Sequence, residues 1–137
     1  MMHYRTQLAA LCLWMALGGA ATAASIPAEL QGAWLEGSSS CEQVFVAGKK
    51  GMSFRKPVNI FLPAVIISGD RVTTPAAVCR IRSIAQAGNR KILTLACTTQ
   101  ISEVTVKAPV ALIDGGLTRY TSESETDTGS RYERCNP

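Results

Sequence analysis

Residues 78–98 read VCRIRSIAQAGNRKILTLACT. Two runs that alternate in polarity flank Gln86-Ala-Gly-Asn89, a loop signal built around Gly88. A turn centred on Gly88 sets Cys79 opposite Cys97, Ile81 opposite Leu95 and Ser83 opposite Leu93 on one side of a hairpin. Arg80 then faces Ala96, and Arg82 faces Thr94, on the other side. Successive strand side chains point to opposite faces, so a shift of one residue would send the thiols and aliphatics to the polar face. Periodicity and register therefore agree, and Cys79–Cys97 is expected as a cross-strand disulfide.

The other cysteines follow from this pairing. The chain has five, of which Cys12 lies in an N-terminal apolar run, leaving Cys41, Cys79, Cys97 and Cys135. Four cysteines allow three connectivities, and pairing 79 with 97 leaves Cys41–Cys135. No C-x-x-C occurs, so neither a zinc knuckle nor a thioredoxin-like motif fits. Bridges closing such loops stabilise a domain by about 3–5 kcal/mol in the chain-entropy model.

The compartment agrees with disulfides. Arg5 precedes the apolar run LAALCLWMAL at 8–17, and Ala21-Thr-Ala23 follows in a small-residue stretch. These are the three parts of a secretory signal, and the run is shorter than the roughly 20 residues a membrane span needs. Residues 1–23 are thus expected to be removed, leaving 24–137 as a single domain that is periplasmic or secreted, monomeric and without a membrane span. The only histidine is His3. Its loss with the leader excludes Ser-His-Asp and Cys-His catalysis, histidine-ligated metals and a histidine pH switch.

Outward from the hairpin, residues 26–31 (IPAELQ) read as a short helical turn ended by Gly32, and 32–35 as a first strand. Further strands are expected at 43–47, 52–54, 58–68 (bent at Pro63), 71–74, 104–107, 110–113, 117–122 and 131–135, with nothing else helical. Asp114-Gly-Gly116 is a hairpin turn signal. Short strands punctuated this often predict an all-β fold: a small antiparallel up-and-down barrel or sandwich with two disulfides and a short N-terminal helical turn.

A helical turn running into Gly32-x-Trp34, then antiparallel strands and a last strand bearing arginine, resembles the calycin group of small barrels. The resemblance implies that Trp34 plugs the barrel floor and that Arg131 or Arg134 lies over it. Within the group, Ala28-Glu-Leu-Gln-Gly-Ala-Trp34 is similar to the start of bacterial periplasmic metalloprotease inhibitors, whose free N-terminus enters the protease cleft. Those inhibitors carry fewer cysteines. A broader likeness is to uncharacterised secreted bacterial proteins with four cysteines and a terminal Y-x-R-C, here Tyr132-Glu-Arg-Cys135, which implies no activity.

Charge is distributed unevenly. Residues 47–91 hold nine bases against Asp70 alone, whereas 24–46 hold three acids and no base. Lys49, Lys50, Arg55, Lys56, Arg80 and Arg82 are candidate contacts to an anionic lipid or glycan, and the lysine turn would adjoin Arg80 and Arg82 if the two hairpins are neighbours. The competing reading is a solvated sheet face whose lysines protect its edges. Nucleic acid is not expected, because few aromatics accompany the bases and the compartment is wrong. The acids of 122–129 (SESETDTG) miss the EF-hand positions for glycine and glutamate and read as a solvated loop tip. No G-x-S-x-G, S-x-x-K or phosphate-binding glycine loop occurs in 24–137, so no enzyme activity, metal or cofactor is expected. Residues 60–67 (IFLPAVII) form the most apolar stretch, a core strand or, at Pro63, an exposed edge recruiting a hydrophobic partner.

Function is therefore expected in contacts: a non-catalytic binding or inhibitor-type module for a protein or an amphipathic ligand. The alternative is an envelope-associated structural protein whose basic segment meets an anionic surface. Lysozyme inhibition fits less well, since the usual targets are basic and so is this chain.

Overall fold

The computed structural model describes residues 25–136. The expected leader, with the cleavage expected after residue 23, and His3 lie outside them. Ten strands follow a single 3-10 turn at Ala28–Leu30: β1 Gly32–Leu35, β2 Phe45–Gly48, β3 Gly51–Phe54, β4 Ala64–Ser68, β5 Arg71–Thr73, β6 Val78–Ala87, β7 Arg90–Thr98, β8 Glu103–Ile113, β9 Gly116–Arg119 and β10 Ser130–Cys135. Eight of them close an antiparallel barrel in the order β1-β10-β9-β8-β7-β6-β5-β4, with β4 pairing back on β1. The barrel alternative holds over the sandwich. Apart from the closure of β10 on β1, neighbours follow chain order, and the β2–β3 hairpin is inserted between the first two barrel strands.

Alternation along the strands builds two apolar clusters. Inward residues (among them Leu30, Trp34, Ile67, Leu93, Leu95 and Leu117) form the barrel interior. Residues one step out of phase (Ala33, Leu35, Ala64 and Ile66) face outward, where they are covered by Val44 and Phe45 at the start of the inserted hairpin. The disulfides divide the same way. Cys79–Cys97 crosses β6 and β7 inside the barrel, with Cα atoms 3.9 Å apart in direct register. Cys41–Cys135 ties the hairpin's entry to β10 on the outer side.

Several expectations are corrected. The hairpin register holds from Cys79↔Cys97 to Ile81↔Leu95, then slips, so that Ser83 faces Thr94 and Ile84 faces Leu93. The loop contains just Gly88 and Asn89, and Gly88 has φ 61°, the conformation that favours glycine at the first position of a tight hairpin turn. A two-residue turn and the cysteine pairing are compatible only if one strand carries an extra residue, which is the bulge at Arg82.

Residues 41–44 form a one-turn helix, α1 Cys41–Val44, which takes the first two residues of the strand expected at 43–47, so the expectation of no further helix fails. Ser40 precedes it with extended backbone, and the strand begins only at Phe45. Residues 58–63 are loop, since Asn59 Oδ1 accepts the Phe61 N–H in a local turn and Pro63 lacks a donor. Conversely, 104–107 and 110–113 are one strand. Pro109 accepts from Tyr120 N–H, just beyond the end of β9, so its missing donor falls outside that strand ladder.

Candidate functional site

The resemblance pointed to the floor, and the floor is closed there. Trp34 is wholly buried and its indole N–H donates to Leu30 O at 2.9 Å. Arg134, its partner across β1 and β10, holds its guanidinium 4.1 Å from the centre of the Trp34 ring and donates to Glu29 O and Gln31 O. Gly32 is required for this arrangement. It has φ 127°, and a Cβ there would come within 2.6 Å of the Arg134 guanidinium. Arg131 does something else: it donates to Ile113 O and Asp114 O in the β8–β9 turn and pairs with Glu133 at 2.6 Å. Ile26 is buried in the interior cluster and its N–H bonds Gly69 O, so the chain from Ile26 onward is built into the floor.

Above the floor the barrel is hollow. A cavity of about 500 Å³ extends between Leu93, Leu95 and Leu117 below and Ile60, Pro75, Thr99 and Val104 at the other end. The hollow arises from residue size: Val65, Val72, Ala77, Val106, Ala108 and Val110 point inward and do not span the space between opposite walls. The open end lies among the loops 55–63, 74–77 and 99–102. Phe61 and Ile101 at these loops are 86% and 95% exposed, and Ile60 beside them both lines the cavity and is half exposed.

Strand lengths leave a notch beside this opening. β9 stops at Arg119, level with Val110, while β8 begins at Glu103, so the first half of β8 has no strand partner on that side. Arg119 lines the cavity at this notch and is the only charged residue in the lining. Tyr132 is buried next to it. Burial chiefly raises the phenol's pKa above its ordinary value. The Glu36 carboxylate adds to that, and the Arg119 guanidinium opposes it. Among the described residues the ion pairs are Arg80–Asp70, Lys91–Glu29 and Arg131–Glu133, which leaves Arg119 outside all of them.

The basic residues singled out from the sequence do not converge. Lys49 and Lys50 form the exposed turn of β2–β3, a separate two-stranded sheet that no strand pairing joins to β6. Arg55 donates to Glu42 O and Phe45 O, and Lys56 is exposed on the following loop. Arg80 is paired with Asp70 at 3.2 Å, and Arg82 is exposed at the bulge. The acidic stretch 122–129 is an exposed loop, as expected, and it is also hydrogen-bonded within itself. Asp127 accepts from the backbone N–H groups of Thr121, Ser122 and Gly129, which holds its carboxyl well below the usual carboxylate range. Arg90 clamps the same loop through Ser124 O and Asp127 O and lies 3.5 Å over the Tyr120 ring.

Sequence reasoning missed Arg119, Tyr132 as a cavity residue, Glu36 and the cavity itself. The available signal was an arginine on a predicted strand at an inward position. No family model, curated protein or solved structure matches the chain.

Proposed function

We propose that this chain is an extracytoplasmic, non-catalytic binding barrel that takes an amphipathic ligand into its interior. The observation that carries the reading is the cavity of about 500 Å³, a size typical of small-molecule sites, with apolar walls and few polar groups. Tyr132 in the lining has its pKa raised above the ordinary phenol value, chiefly by burial, which does not suit it to proton transfer near pH 7. Two disulfides suit an oxidising compartment, which supports secretion through the leader. The up-and-down order and the Arg134–Trp34 pair support kinship with the calycins. The burial of Ile26 favours the cavity over N-terminal insertion into a protease.

The test is titration of the leader-free, disulfide-intact protein with the neutral fluorophore N-phenylnaphthylamine. Saturable one-to-one binding is expected. It should weaken about tenfold or more in Ala108→Trp, because overpacking a filled site costs about 1–3 kcal/mol. Absence of saturable binding by the parent overturns the proposal, as does unchanged binding by the variant.

A further inference from the structure

The cavity's walls describe the body of a ligand, and its one charge describes the head. We infer that Arg119 is the head-group site of the barrel, and that the ligand is a single-chain amphiphile whose anionic head sits at the β8–β9 notch with its tail in the cavity. This rests on the cavity reading and adds the ligand's chemical class.

Several observations converge on Arg119. It is the only charged residue lining an otherwise apolar cavity. No carboxylate pairs with Arg119 among the described residues, and the side chain it acts on is the phenol of Tyr132, which shares the cavity lining with it. Its position is fixed by the end of β9, where the free side of β8 keeps the guanidinium in reach of solvent and of the cavity together. A guanidinium presents a planar fork of donors that matches carboxylate or phosphate oxygens. Tyr132, buried at the same place, has its pKa raised chiefly by burial and stays a neutral neighbour of the guanidinium. Glu36 also acts on Tyr132, and its carboxylate opposes an incoming anion.

Carboxylate and phosphate monoester heads share this chemistry, and the experiment separates them. Dodecanoate, dodecyl phosphate, dodecanol and dodecylammonium are each used to displace N-phenylnaphthylamine from the parent, Arg119→Gln, Arg119→Lys and Glu36→Gln at about pH 8, above the carboxylate range. In the parent, at least one anion is expected to compete about tenfold or more better than dodecanol, the worth of a charge-assisted hydrogen bond at the cavity mouth. The better anion names the head. Arg119→Gln should erase the gap, Arg119→Lys should restore part of it and Glu36→Gln should widen it, each gap being the ratio of anion to dodecanol competition within the same variant. Equal competition by the anions and dodecanol in the parent overturns the inference. So does an anion advantage that survives in Arg119→Gln. Either result, obtained while the fluorophore still binds the parent, leaves the cavity reading intact; failure of the fluorophore to bind overturns both.

Discussion

Replacing Arg134 with alanine removes the cover of the barrel floor. The guanidinium stacks 4.1 Å from the Trp34 ring centre and bridges the carbonyls of Glu29 and Gln31, which tie the 3-10 turn to the end of β10. A cation–π contact at an exposed site is worth about 0.5–1 kcal/mol. Each charge-assisted hydrogen bond adds about 1 kcal/mol, less than such bonds contribute when buried, because the side chain is exposed and solvent screens it. The sum is about 2.5–3 kcal/mol, or roughly 10–12 °C in Tm for a domain of this size. Thermal melts followed by near-ultraviolet circular dichroism measure the loss. Emission from Trp34, the only tryptophan among the described residues, should shift to the red as water reaches the ring. Arg134→Lys keeps the charge but not the planar fork, so about half the loss should return. A melt within about 2 °C of the parent, with unshifted emission, would refute this account of the floor.

Three further outcomes follow from the same structure. Gly32→Ala should destabilise the barrel by about 1–3 kcal/mol from backbone strain and the collision with Arg134, and should cost less in an Arg134→Ala background, as a double-mutant cycle in urea will show. Removing Cys41–Cys135, which closes 94 residues, should cost about 4–5 kcal/mol, against about 3 kcal/mol for Cys79–Cys97, which closes 18; urea unfolding of the two double-serine variants measures the difference. Asp127 has a lowered folded pKa, first through the Ser122 N–H and then through Gly129 and Thr121. Its contribution to stability is therefore present above the unfolded value of about 4 and disappears as pH falls below it. Asp127→Asn should accordingly melt below the parent at neutral pH, and the two Tm curves should converge on acidification.

The barrel was legible where local signals reinforced one another. The cysteine register, the alternation in β6 and β7 and the glycine turns at 88 and 115 belong to neighbouring residues, and all agree with one hairpin order. The bulge at Arg82 was hidden because the alternation continues past it with a polar residue on either face, so nothing in the pattern marks the extra one. The floor was legible only in part. Gly32-x-Trp34 named the tryptophan, but choosing Arg134 over Arg131 needed the register of β10, which puts Arg134 opposite Trp34 and turns Arg131 to the outer side. The cavity was not legible at all. Val72, Ala77, Val106 and Ala108 satisfy the same inward pattern as larger residues, and whether they meet across the barrel depends on closure by all eight strands. Arg119 likewise reads as an ordinary strand arginine until the end of β9 beside the longer β8 places it at the opening.

Ligand binding inside the barrel is tested most directly by methyl chemical-shift mapping of the leader-free protein titrated with dodecanoate. Methyls of the inner wall at Val65, Leu93, Leu95, Val106 and Leu117 should shift together and saturate, while those of Leu35, Val44 and Ile66 in the outer cluster should stay in place. Shifts confined to the outer cluster or to the β2–β3 hairpin, or no saturable shifts at all, would contradict the account.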